Sequence, residues 1–164
     1  MRIVTSLARK GTVRKSDRTS AAVKSKVRAT KVVDTLSAAT VLLVDDDPSV
    51  LRSLKRLVSA SGFQVKTFAK PSELIACKTP SSNACMVVDI DLPEMNGIEM
   101  CEVLKRSGRS LPAILITGRS DARTRALAER ADAVAVLYKP FDEQPLLEAI
   151  GRALALSKKG RSDV

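Results

Sequence analysis

Val-Leu-Leu-Val-Asp-Asp-Asp-Pro, residues 41–48, is the stretch on which the fold turns. Val41–Val44 is an apolar run too short for a helix and suited to a strand covered on both faces. Three aspartates end it, and Asp47-Pro48 reads as a helix N-cap followed by a first-turn proline. Val50, Leu51, Leu54, Leu57 and Val58 then recur at helical spacing until Ser61-Gly62 stops the helix. The unit repeats down the chain. Val65–Phe68 predicts a second strand, Pro71–Cys77 a short helix, and Cys85–Val88 a third strand ending at Asp89. Residues 92–97, Leu-Pro-Glu-Met-Asn-Gly, form a loop with proline and Asn-Gly turn chemistry. Helices are expected over Ile98–Arg106, Asp121–Ala131 and from Asp142 to about Ser157, and strands over Ala113–Thr117 and Val134–Tyr138.

Five such units predict an α/β fold, a doubly wound five-stranded parallel sheet with helices on both faces. Open sheets of this kind hold their sites at the carboxyl ends of the strands. The chemistry-bearing residues stand there: Asp45 and Asp46 after the first strand, Asp89 ending the third, Thr117 the fourth, and Lys139 the fifth. Carboxylates converging at one edge repel by roughly 4 kcal/mol per close pair at an effective dielectric of about 20. A hard divalent cation relieves that repulsion, and Mg²⁺ prefers such oxygen ligands. Lys139 adds a positive donor suited to a phosphoryl oxygen, Thr117 a hydroxyl, and Gly118 an open approach. Together they suffice for phosphoryl transfer onto a carboxylate. Taken singly, each residue has a bland reading as a solvated helix start, a loop aspartate, a strand-end hydroxyl or a surface lysine. Only the joint placement at four strand ends argues for chemistry.

Composition narrows the field. The 164 residues contain no histidine, which excludes Ser–His and Cys–His catalysis, histidine-ligated zinc and a histidine phosphocarrier. Cys77, Cys85 and Cys101 form no C-x-x-C pair and read as three buried, reduced thiols. No run approaches the roughly 18 apolar residues of a membrane span, and a cytoplasmic location is expected. Charge is uneven. Residues 1–40 hold ten Lys/Arg against Asp17 and Asp34, while the rest holds eighteen basic against sixteen acidic residues. The first forty residues, which lack any aromatic side chain, read as a mostly disordered basic arm. A short helix around Ala21–Leu36 is the one element expected in it.

Four motifs in order, Val-Leu-Leu-Val-Asp-Asp-Asp-Pro, Val-Val-Asp-Ile-Asp-Leu-Pro-Glu-Met-Asn-Gly, Ile-Leu-Ile-Thr-Gly and Tyr-Lys-Pro-Phe, carry a family resemblance. Over residues 41–158 the chain resembles the receiver domain of bacterial two-component response regulators, in its stand-alone, CheY-like form. The resemblance implies a flavodoxin-like sheet of strand order 2-1-3-4-5 and Asp89 as phosphoacceptor. It implies Asp46 as a direct Mg²⁺ ligand, Asp45 acting largely through water, and the backbone carbonyl of Asp91 completing the metal set with Asp89. Thr117 would bond the phosphoryl group and shift on activation, Lys139 would pair with a phosphoryl oxygen, and the Lys139–Pro140 peptide would be cis. Asp89-Ile90-Asp91 also fits the Asp-x-Asp motif of haloacid-dehalogenase-like phosphatases. Those enzymes place that motif on the first strand and the acidic pair last, and the order here is the reverse.

One position departs from the family pattern. Val136 stands where Phe or Tyr is common, and Tyr138, two residues on and on the same strand face, is the candidate substitute. A weaker or different switch is therefore expected on the face made by the fourth helix, fifth strand and fifth helix. Residues 159–164 read as a short tail with no further output domain. The expected partners are a sensor histidine kinase or phosphotransfer protein and an output protein that the sequence does not identify. A second reading of another class is a polyanion-binding protein whose arm, residues 1–40, contacts nucleic acid through its charge. A solvated tail, upstream sequence added by an early start codon and a targeting segment are the remaining readings of the arm.

Overall fold

The computed structural model describes residues 39–159. Within it run β1 (Thr40–Val44), α1 (Pro48–Ala60), β2 (Gln64–Phe68), α2 (Pro71–Ala76), β3 (Ala84–Asp89), α3 (Gly97–Arg106), β4 (Ala113–Thr117), α4 (Ala122–Arg130), β5 (Ala135–Tyr138) and α5 (Glu143–Lys159). Every pairing is parallel and the strand order is 2-1-3-4-5. The elements expected after residue 40 all occur, with ends moved by one or two residues. The sheet also reaches into the segment assigned to the arm. Ala39 is buried and accepts the Gln64 amide, and Thr40 opens β1 because its register partners Gln64 and Ala84 extend that far. The helix expected around Ala21–Leu36, and the rest of the arm, lie outside the described residues.

Burial explains the order. β1, β3 and β4 are buried at every position, as their unbroken apolar runs require, so they are the interior strands. Gln64-Val-Lys-Thr-Phe68 and Ala135-Val-Leu-Tyr138 are only partly covered and form the edges. Strand alternation splits the core into two layers. Val41, Leu43, Cys85, Val87, Ile114 and Ile116 pack against α1 and α5 through Leu54, Val58, Leu146 and Ile150. Leu42, Val44, Met86, Val88 and Leu115 pack on the other face against Leu74 of α2, Met100 and Leu104 of α3, and Ala128 of α4. Each such buried Leu, Ile or Val contributes roughly 1.5–3 kcal/mol.

The helix starts turn the chain at the sheet's carboxyl edge. Asp47 caps α1 as expected, accepting the amides of Ser49 at 2.7 Å and Val50 at 3.4 Å, with Pro48 in the first turn. Asn96 caps α3 through the Ile98 amide at 2.8 Å, and Asp121 caps α4 through the Thr124 amide at 3.0 Å. The cysteine expectation needs correction. Cys85 is buried, but Cys77 and Cys101 are only half-buried, because Cys77 caps the end of α2 and Cys101 lines a cleft beside Ile98, Leu111 and Arg130. Among the described residues no helix is long and apolar enough to cross a membrane.

Candidate functional site

β1 and β3 are adjacent and in register, with Val44 beside Val88, so the next residue on each strand is an aspartate at the same edge. Alternation turns Asp45 and Asp89 toward the α1/α5 side, and Lys139, two residues after the inward Leu137, turns the same way. The Lys139 ammonium lies between the two carboxylates, donating to Asp45 Oδ2 at 2.8 Å and to Asp89 Oδ2 at 2.6 Å. Their remaining oxygens accept amides two residues on: Asp47 N–H to Asp45 Oδ1 and Asp91 N–H to Asp89 Oδ1, both at 2.9 Å. Asp45 and Asp89 are both buried. The Lys139–Pro140 peptide is cis.

Burial holds the Asp45 carboxyl above the ordinary carboxylate range, against the downward pull of the Lys139 and Asp47 hydrogen bonds. Burial also works against the charge on Lys139. The hydrogen bonds and charges of Asp45 and Asp89 outweigh it, so the lysine is held above its usual value and stays protonated. Asp46 is exposed, yet one oxygen from each of Asp45, Asp46 and Asp89 falls within 4.8 Å of the others. Three carboxylates share one nearby ammonium, which leaves a negative surplus lined with hard oxygen donors. That donor set suits Mg²⁺.

A second network lies beside the first. Thr117, fully buried, donates its hydroxyl to Asp91 Oδ2 at 2.8 Å and accepts the Arg119 amide at 3.0 Å. The Arg119 guanidinium lies 3.8 Å from Asp91 Oδ1 and 3.3 Å from Asp121 Oδ2. The sequence had suggested only the backbone of Asp91. Its carboxylate was missed because strand periodicity says nothing about where a loop side chain turns. Tyr138 is the register partner of Thr117 on the neighbouring strand and is 40% exposed, while Val136 packs into the layer beneath α3 and α4. A Cβ added at Gly118 would meet nothing within 4 Å, so no neighbour enforces that glycine. Gly97 is different: its Cβ would collide with the Asp89 carbonyl oxygen.

The sequence model described as the response regulator receiver domain matches residues 41–151. The chain belongs to the response regulator receiver family. This receiver is 36% identical over 126 residues to the response regulator protein TodT of Pseudomonas putida, a match covering 77% of the chain and 56% of TodT. It is 34% identical over 114 residues to the transcriptional regulatory protein FixJ of Rhizobium meliloti, covering 70% of the chain and 56% of FixJ. The receiver thus spans about half the length of the curated relatives it matches. Among solved structures it resembles a CheY-like receiver domain protein from Methanospirillum hungatei, at TM-score 0.65 and 28% identity, covering 74% of this chain and 98% of that one.

Proposed function

We propose that this receiver is a phosphoacceptor switch of a two-component phosphorelay, with Asp89 as the nucleophile. The observation that carries this reading is the Lys139 ammonium held between Asp45 and Asp89 at the sheet's carboxyl edge. An Asp89 carboxylate oxygen attacks phosphorus, forming an acyl phosphate. The bond from phosphorus to the donor breaks, and the donor leaves with its electron pair. Lys139, kept protonated, neutralises charge on the transferred group. Asp45, Asp46 and Asp89, with the backbone carbonyl of Asp91, would hold Mg²⁺. When bound, that ion supplies the charge that carboxylates alone cannot offer an anionic phosphoryl group. Thr117 supplies a hydroxyl, and Tyr138 beside it is our candidate for the aromatic that Val136 does not provide. The donor is a sensor histidine kinase or phosphotransfer protein, and the modified face signals to an output protein in the cytoplasm.

Intact mass after incubation with acetyl phosphate tests the reading. A phosphoryl increment that requires both Mg²⁺ and Asp89, and is lost in Asp89→Asn, is the expected result. No increment in folded protein refutes it. The charge of residues 1–40 favours a second activity, contact of the arm with nucleic acid phosphates. Binding that persists at high salt, or after deletion of residues 1–38, refutes that one.

A further inference from the structure

Asp91 joins the two networks of the site, one through its backbone amide and the other through its side chain. Asp91 donates its amide to Asp89 Oδ1 at 2.9 Å and accepts the Thr117 hydroxyl on Oδ2 at 2.8 Å. A hydroxyl has one proton to give. Thr117 gives it to Asp91, since the other acceptor within reach, the Arg119 carbonyl at 3.5 Å, is too distant to compete. Arg119 steadies the Asp91 carboxylate and is itself held by Asp121, whose oxygens accept the Thr124 amide at 3.0 Å and hydroxyl at 2.9 Å. A continuous chain thus runs from Asp89 through Asp91, Thr117 and Arg119 to the first turn of α4.

We propose that Asp91 is a positioning residue that latches the Thr117 hydroxyl in the resting state, and that phosphoryl acceptance at Asp89 requires the latch to open. The inference rests on the phosphoacceptor reading above. A phosphoryl oxygen on Asp89 that takes the Thr117 proton does so in competition with the Asp91 carboxylate, and both acceptors are charged. The released Asp91 carboxylate is partly exposed, within reach of water and of Arg119. The exchange is therefore nearly balanced, the condition for a two-state element that one modification can tip. Asp91 senses that modification directly, because its own amide is bonded to the Asp89 carboxylate that is modified.

The test measures beryllofluoride affinity at saturating Mg²⁺ by amide chemical shifts, in wild type, Asp91→Ala, Thr117→Val and the double variant. Opening the latch in advance is expected to tighten binding about ten-fold in Asp91→Ala, the scale of one hydrogen bond to a charged acceptor. The gain must vanish in the Thr117→Val background. Equal tightening in both backgrounds means that Asp91 acts only by its charge, and overturns the latch. So does no tightening at all. Thr117→Ala serves as the background if the valine variant does not fold. A second readout needs neither metal nor mimic: the Arg119 amide, which donates to Thr117 Oγ1, shifts in Asp91→Ala, and an unmoved resonance counts against the latch. Wild type that binds no better than Asp89→Asn sinks the phosphoacceptor reading and the latch together. Wild type that binds, with no Asp91–Thr117 coupling, sinks the latch alone.

Discussion

Gly97→Ala sets helix propensity against packing, and the two predict opposite signs. Gly97 is the first residue of α3 and does not have a positive φ, so propensity alone predicts a gain of about 0.5–1 kcal/mol on replacement. The surroundings say otherwise. The added methyl would fall on the Asp89 carbonyl oxygen, well inside contact distance, and 2.8 Å from Val88 Cγ1. Neither neighbour yields easily: the first is backbone of an interior strand, and Val88 is buried between β1 and β4. Overpacking of this kind costs about 1–3 kcal/mol. At the upper end, less the propensity gain, the net loss is about 2 kcal/mol. Urea unfolding followed by circular dichroism reads this as a midpoint lower by about 1 M at a typical slope of about 2 kcal/mol per M. Gly151→Ala in α5 is the control, because its Cβ would meet nothing within 4 Å, and it should gain about 0.5–1 kcal/mol. If Gly97→Ala matches or exceeds wild-type stability, the close approach of α3 to the end of β3 is not what demands glycine there.

Three further outcomes are expected. Lys139→Ala leaves Asp45 and Asp89 facing each other without their cation, so it should destabilise by about 3 kcal/mol, and Mg²⁺ should raise its melting temperature more than that of wild type. Equal Mg²⁺ responses in the two proteins would show that the lysine and the ion do not share these carboxylates. The Asp121 carboxyl is held below the ordinary carboxylate range by the Thr124 amide and hydroxyl. Its stabilisation of α4 is complete above the unfolded value near 3.8 and is lost as pH falls through the lower folded value; amide exchange at Thr124 should accelerate across that window in wild type and lose the dependence in Asp121→Asn. Burial pushes the Cys85 and Cys101 thiols up to about 12, so iodoacetamide at pH 8 should modify Cys77 first. Mass spectrometry showing Cys101 modified first would refute that order.

Much of the fold was legible because local patterns report it. An apolar run such as Val41–Val44, bounded by aspartates and Pro48, has one plausible conformation, and its repetition predicts a parallel sheet. The cap at Asp47 was legible for the same reason: it acts on amides two and three residues away. What the local pattern missed lies in loops. Asp91 read as part of an Asp-x-Asp stretch, and nothing in its neighbours turns its carboxylate toward Thr117, 26 residues on. Asn96-Gly97 read as turn chemistry, whereas Asn96 is a cap and Gly97 a point of contact between α3 and β3.

By itself, then, the sequence determined which segments are strands and helices and which strand ends carry Asp45, Asp46, Asp89, Thr117 and Lys139. Those properties depend on spacing and short-range chemistry, which the chain carries residue by residue. Tertiary structure decided that β1 and β3 are neighbours in register, that Lys139 reaches Asp45 across 94 positions of chain, and that Asp91 answers to both Asp89 and Thr117. Those contacts exist only once burial of two apolar layers fixes how the strands lie side by side. Distance along the chain then no longer sets distance in space.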